Sequence, residues 1–290
     1  MKKVLAIVLA LAMAASFTAC GGSEPAKNDE AFGGTITVIS REDGSGTRGA
    51  FVELTGVEQK NDAGEKEDFT TVEAVIASKT DAVLTNVAGD KMAIGYVSMG
   101  SLNDTVKAVK VDGVDATTEN VKNGSYSIAR PFNIATKAEI SEATADFISF
   151  MLSKQGQEIV TGSYITVDDA AAEYAASGAS GKVTVSGSSS VAPLMEKLAE
   201  AYKAFNPDVE IEMNTTDSTG GMNDAANGVS DIGMASRALK DSEKESLNGT
   251  TIAMDGIAVI VNSTNPTESL TVEQIKTIYT GEVCGWEEIA

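Results

Sequence analysis

The sequence has no histidine, which excludes Ser-His-Asp and Cys-His catalysis and any histidine-ligated metal site. Cysteine occurs only at Cys20 and Cys284, too few for a disulfide framework. Positive charge is outnumbered, with 22 Lys and Arg against 42 Asp and Glu, so the net charge of -20 makes nucleic acid and anionic membrane surfaces poor partners. The longest apolar run, residues 4–15, is too short to span a bilayer. What is present is 42% apolar residues over 290 positions, enough for two modest domains with cores of their own.

Met1-Lys2-Lys3 followed by residues 4–15 reads as a secretory signal over residues 1–19. Its end, Ser16-Phe17-Thr18-Ala19-Cys20-Gly21-Gly22-Ser23, resembles a bacterial lipobox, in which cleavage before Cys20 leaves a lipidated cysteine; an ordinary cut near Ala19 is the alternative. Residues 20–32 then form the lipidated cysteine and its tether, and the protein is expected outside the cytoplasm, anchored to the cell membrane. Cys284 is left without a partner and reads as a small apolar residue near a helix end.

The chain is organised around Ser40-Arg41-Glu42-Asp43-Gly44-Ser45-Gly46-Thr47-Arg48, which follows the alternating run Thr35-Ile36-Thr37-Val38-Ile39 and precedes a helical stretch. Two glycines flanking a serine let backbone N–H groups converge, and a following helix adds its positive end, so an anion is the natural guest. Arg41 adds a planar fork suited to oxyanions. An ordinary strand-to-helix turn with a solvated arginine accounts equally well for these nine residues taken alone.

Residues 55–70 read as a charged surface excursion, residues 71–77 as helical, and Ala93-Ile94-Gly95-Tyr96-Val97 as a buried strand. Residues 126–133 are extended because a residue before proline is pushed out of the helical region. Residues 140–160 read as one long helical stretch, and residues 168–181 as a linker. A second hydroxyl loop, Ser186-Gly187-Ser188-Ser189-Ser190, follows the strand Lys182-Val183-Thr184-Val185 and precedes a helix with Pro193 in its first turn. A third, Asp217-Ser218-Thr219-Gly220-Gly221, comes before another short helix. Thr271 and Gln274 make a capping box for the last helix, and the chain then stops without a closing element.

Gly44-Ser45-Gly46-Thr47-Arg48-Gly49 matches a dinucleotide fingerprint, but about 20 residues on, where that fold needs an acid at a strand end, only Glu65, Glu67 and Asp68 stand, in the turn-rich excursion. No phosphoryl-transfer loop with its Gly-Lys-Ser/Thr ending occurs. Each hydroxyl loop taken singly is accounted for as a helix cap. Three of them at strand ends, with an arginine nearby, are better accounted for by convergence on one small oxyanion at the sheet edge where α/β proteins bind ligands.

Ser40 to Arg48, Val185-Ser186-Gly187-Ser188-Ser189-Ser190-Val191-Ala192-Pro193-Leu194, Asp231-Ile232-Gly233-Met234-Ala235-Ser236-Arg237 and Asp255-Gly256-Ile257-Ala258-Val259-Ile260-Val261-Asn262 together resemble the phosphate-binding proteins of phosphate-specific ABC transporters, within the type II periplasmic binding proteins. The order departs from that family: there the Ser188-Ser189-Ser190 loop lies near the start and the Arg41 to Arg48 loop near the middle. The chain therefore resembles a circular permutant, opened between Ala290 and Gly33, with the family's ends joined through residues 168–181.

The resemblance implies a two-domain α/β fold of the periplasmic-binding-protein kind, two α/β sandwiches joined by two hinge strands, in permuted order. One domain would be residues 33–128 plus 262–290, the other residues 129–261, with crossings near residues 128–131 and 259–262. It implies a monomeric receptor that captures inorganic phosphate and delivers it to permease subunits, with no catalysis and no cofactor. Ser189, Ser190 and Ser218 would bind phosphate from one domain, and Arg41, Ser45, Gly46 and Thr47 from the other, with Asp43 orienting Arg41. Better-known members carry a proton-accepting aspartate where Arg237 stands here. Asp255 is expected to supply that acceptor instead, and Arg237 to donate to a phosphate oxygen. A binding protein for another oxyanion, an adhesin or sensor on the same fold, and a phosphatase are the alternatives; the last needs a nucleophile with a base or a metal, and no motif supplies one.

Overall fold

The computed structural model describes residues 32–289. The alternating run before the first loop forms β1 (Thr37–Arg41), and the loop opens α1 (Gly46–Thr55), where the Ser45 hydroxyl accepts the Arg48 N–H and Gly56 closes the helix in the left-handed conformation. The charged excursion is more ordered than its composition suggests: β2 (Glu58–Lys60) and β3 (Lys66–Asp68) pair as a small antiparallel hairpin. The helix expected over residues 71–77 is absent. That stretch ends in β4 (Val75–Ala77), which pairs in parallel with β1, and the helix begins later as α2 (Thr80–Gly89). Seven residues with apolar side chains at both spacings do not separate strand from helix, and the free edge of β1 decides.

There follow β5 (Ala93–Ser98), β6 (Val106–Ala108), β7 (Lys110–Val111), α3 (Thr118–Lys122) and β8 (Ala129–Thr136). The long helical stretch is two helices, α4 (Glu142–Leu152) and α5 (Lys154–Val160), because Ser153 leaves the helical conformation and its hydroxyl caps the second by accepting the Gly156 N–H. The residues linking α5 to the next strand form no helix or strand, yet Tyr174 there sits edge-on to Phe150, 5.2 Å between ring centres.

The remaining elements are β9 (Gly181–Ser188), α6 (Ala192–Phe205), β10 (Val209–Thr216), α7 (Ser218–Asn227), β11 (Ile232–Ala235), α8 (Asp241–Lys244), β12 (Asn248–Asn262), β13 (Ser269–Leu270) and α9 (Val272–Thr280). One sheet runs β10-β9-β11-β8-β12-β5-β1-β4, with β6 also on β12. At its two ends the neighbours are parallel strands separated by helices; around β8 and β12 they are antiparallel.

β12 holds this two-lobed sheet together. Its first part pairs with β8 as far as Gly256, and from Ile257 it pairs with β5. The expected crossing at residues 259–262 is thus displaced: Ile257, Val259 and Val261 pack with Phe51, Tyr96 and Tyr279 in one core, while Ile252 and Ala253 pack with Phe132, Phe147 and Leu198 in another. Asp255-Gly256 interrupts the apolar residues of β12 where it changes sides, and the run Ile257–Val261 follows on the second lobe.

The two described ends of the chain meet. The Ile36 N–H donates to the Cys284 carbonyl at 2.8 Å, and the Trp286 N–H to the Gly34 carbonyl at 3.1 Å. The chain closes in a short 3₁₀ turn, Trp286–Ile289, whose indole N–H bonds the Met92 carbonyl, where no closing element was expected. Cys284 is exposed, not apolar filling at a helix end. Cys20, the signal and the tether up to residue 31 lie outside the described residues.

Candidate anion-binding site

Parallel strands release their chains at one edge, and there β1, β9 and β11 end within reach of one another. β1 ends at Arg41, whose backbone N–H bonds the Tyr96 hydroxyl at 3.2 Å; complete burial pushes that phenol up to about 12, so it stays neutral. The Arg41 guanidinium, 2% exposed as a residue, is gripped by Glu42 through two bonds of 2.8 Å, from Nε and Nη2. Nη2 also donates to Ser189 Oγ at 3.1 Å.

The expectation that Asp43 orients Arg41 is corrected. Asp43 has a 98% exposed side chain and pairs with Arg48, which also donates to Asp68 and to the Arg41 carbonyl. Both acids lie in the same loop, but Glu42 is the one that turns back along the buried guanidinium.

Around Arg41 stands a group of hydroxyls drawn from opposite lobes. Thr47 Oγ1 lies 2.7 Å from Ser190 Oγ, and Ser188 Oγ donates to Ser236 Oγ at 2.9 Å. Ser218 Oγ accepts the Ser236 N–H at 3.0 Å and lies 3.4 Å from its hydroxyl. Ser45 caps α1 beside them, and all of these serines and threonines are buried. The structure therefore brings together Arg41, Ser45, Gly46, Thr47, Ser189, Ser190 and Ser218. It adds Ser188, Ser236 and Thr80, which sequence reasoning passed over. The first two lie inside quoted motifs, and Ser188, beside Gly187, could have been flagged there. Thr80 follows Ser78-Lys79 at a strand-to-helix junction without glycine and carries no such signal.

The lobes meet here with almost no clearance. The Thr219 N–H of one lobe donates to the Gly44 carbonyl of the other at 3.1 Å. A Cβ on Gly46 would fall inside the radius of Ser218 Oγ and 2.9 Å from Ser236 Oγ, and one on Gly44 would overlap the Asp217 carboxylate. Neither glycine has a positive φ, so it is this approach, not backbone conformation, that requires them.

Two other expected residues stand outside the group. Arg237 is turned away by Glu243, which takes both its Nη atoms at 2.8 and 2.7 Å; its one bond toward the group reaches Thr219 Oγ1. Asp255 is buried in the crossing: Oδ2 accepts from Arg130 Nε and Nη2 at 3.1 and 3.0 Å, and Oδ1 accepts the Ser98 hydroxyl at 2.9 Å. Both oxygens are taken, so Asp255 does not present the acceptor expected of it. Burial pushes its carboxyl up to about 6 against the pull of Arg130. It reaches the site only through Arg130, whose Nη1 donates to the Ser236 carbonyl.

A guanidinium, neutral hydroxyls and backbone N–H groups at helix starts form a donor set for a small oxyanion. Comparison with known proteins agrees with this fold and chemistry. A model described as the PBP superfamily domain matches residues 26–155 and 172–289. Phosphate-binding protein PstS 2 of Streptococcus agalactiae is 50% identical over 260 residues, 89% of this chain and 88% of that protein. The chain belongs to the PstS phosphate-binding protein family. The PstS 2 protein of Streptococcus pneumoniae is 44% identical over 289 residues, 99% of both chains. A crystal structure of a phosphate ABC transporter phosphate-binding protein from Streptococcus pneumoniae superposes with a TM-score of 0.70 at 45% identity, covering 89% of this chain and all of that one. The alignment with the Streptococcus pneumoniae PstS 2 protein runs nearly the full length of both chains, so the order of the loops is shared with it.

Proposed function

We propose that the chain is an extracytoplasmic solute-binding protein that takes inorganic phosphate between its lobes and delivers it to an ABC permease. It acts by binding and release, as its PstS relatives are named to do, and not as an enzyme. The observation that carries the reading is the convergence of Arg41 with hydroxyls from both lobes in a buried, nearly clearance-free seam.

Phosphate oxygens accept several hydrogen bonds each, and charge-assisted bonds are about twice as strong as neutral ones. Arg41, Ser45, Thr47, Ser189, Ser190 and Ser218, with the N–H groups at Gly46 and Ser190, are the assigned donors. The protein's own negative charge is screened beyond roughly 10 Å and does not outweigh such contacts. A hydroxyl both donates and accepts, so the proton of hydrogen phosphate has an acceptor among the serines without a carboxylate.

The reading includes two lobes, residues 33–128 with 257–289 and residues 129–256, that close by bending at β8 and β12. It includes a circularly permuted order, supported by the pairing of residues 34–36 with 284–286, which leaves the two ends side by side as reopening an exposed loop would. Anchoring through a lipid on Cys20 keeps the receptor at the membrane beside its permease.

Titration calorimetry of the mature protein tests the function. Phosphate binding in a 1:1 ratio at micromolar or tighter affinity is expected. Absence of heat at millimolar phosphate, or turnover of a phosphate ester without added metal, overturns the reading.

A further inference from the structure

Thr80 opens α2 on the Arg41 lobe, 3% exposed. Every hydroxyl it approaches across the seam belongs to the site. Its Oγ1 lies 3.2 Å from Ser189 Oγ and 3.3 Å from Ser190 Oγ, and Arg41 Nη1 donates to it at 3.4 Å. Its backbone N–H donates to the same Ser189 Oγ at 3.4 Å. The residue before it, Lys79, supplies no side-chain cap to the helix, so the start of α2 is turned toward the seam without a competing acceptor of its own.

We propose that Thr80 is a direct ligand of the bound anion, through its hydroxyl and its N–H, and thereby a determinant of affinity. This rests on the phosphate reading of the same site. An anion oxygen seated between Arg41 and Ser189 lies where both Thr80 donors already point. Three of the four contacts, one of them from the Arg41 guanidinium, are longer than 3.2 Å, beyond the usual range of protein hydrogen bonds, so these groups engage one another only weakly. Thr80 would also connect ligand to sheet edge: Ala77, the last residue of β4, is three positions away, so an anion held by Thr80 fixes the outermost strand of this lobe to the opposite lobe.

The test is a pair of substitutions read by phosphate titration calorimetry and by melting of the phosphate-free protein. Thr80→Val keeps the shape and removes the hydroxyl; Thr80→Ser keeps the hydroxyl and removes the methyl. A ligand role weakens binding about tenfold or more in Thr80→Val and leaves Thr80→Ser within about threefold of wild type, with phosphate-free melting serving to show that both variants are folded, since a hydrogen bond to a charged group is worth more than a neutral one. A packing role gives the opposite order, with Thr80→Ser the weaker binder, and overturns the assignment. So does wild-type affinity in Thr80→Val. Failure of the wild type to bind phosphate overturns the parent reading as well, whereas a normal wild type with an unaffected valine variant overturns the Thr80 assignment alone.

Discussion

Substituting Gly46 by alanine should separate binding from stability, moving the two in opposite directions. Gly46 is the first residue of α1 with ordinary helical backbone, so alanine there removes unfolded-state freedom and favours the helix by roughly 0.5–1 kcal/mol. The added Cβ meets nothing of its own lobe at short range; its nearest neighbours are Ser218 Oγ and, at 2.9 Å, Ser236 Oγ, both across the seam. Ser218 Oγ could swing aside only by giving up the Ser236 N–H, leaving a buried donor unpaired at a cost of about 1–3 kcal/mol. If Ser218 stays, the lobes must part instead, which lengthens the Thr47 to Ser190 and Arg41 to Ser189 contacts. Either route costs phosphate binding on the order of 10 to 100-fold, at about 1.4 kcal/mol per decade. Calorimetric titration with phosphate gives the affinity, and thermal melting without ligand gives the stability. The phosphate-free melting temperature should hold or rise. Affinity within twofold of wild type would refute the closed seam as the binding state; a falling melting temperature would show that Gly46 serves its own lobe.

Two further predictions use the same geometry. Glu42→Gln loosens the only carboxylate grip on the Arg41 fork among the described residues and is expected to weaken phosphate binding several-fold, whereas Asp43→Asn, altering an exposed partner of Arg48, leaves it unchanged; equal effects in the titration would restore Asp43 to the role the sequence suggested. Asp255 is raised by burial from 3.8 to about 6, so the folded state holds its proton more tightly than the unfolded one. Its contribution is therefore complete below about pH 4, declines as pH rises to about 6, and is flat above. Asp255→Asn should accordingly gain on the wild type across that window in denaturant titrations; a variant that loses ground there would mean that attraction to Arg130 outweighs the burial penalty.

How much of this was legible in the sequence follows from the range of the interactions. The β1 loop could be read because glycine, hydroxyl and arginine lie within nine residues, and a strand-to-helix turn is a local object. The hydroxyl loops after β9 and before α7 could be read for the same reason. The errors arose where partners are distant or where direction alone decides. Glu42 and Asp43 are chemically near-equivalent neighbours, and only the exit angle of β1 chooses between them. Arg237 ends a motif that carries part of the resemblance and was expected at the anion, but Glu243, on the next short helix, captures it. Asp255 meets Arg130 because β12 and β8 are antiparallel in one particular register, which no local pattern encodes. Thr80 was invisible because its partners, Ser189 and Ser190, stand on another lobe and more than a hundred positions along the chain. By the same reasoning the order of segments should matter little to the site. What the anion would meet is set by strand ends and helix starts packed at one edge, and the pairing of residues 34–36 with 284–286 keeps that edge intact wherever the chain is opened. A covalent join across those ends should then leave phosphate affinity unaltered, because no donor assigned to the anion lies within the reconnected segment.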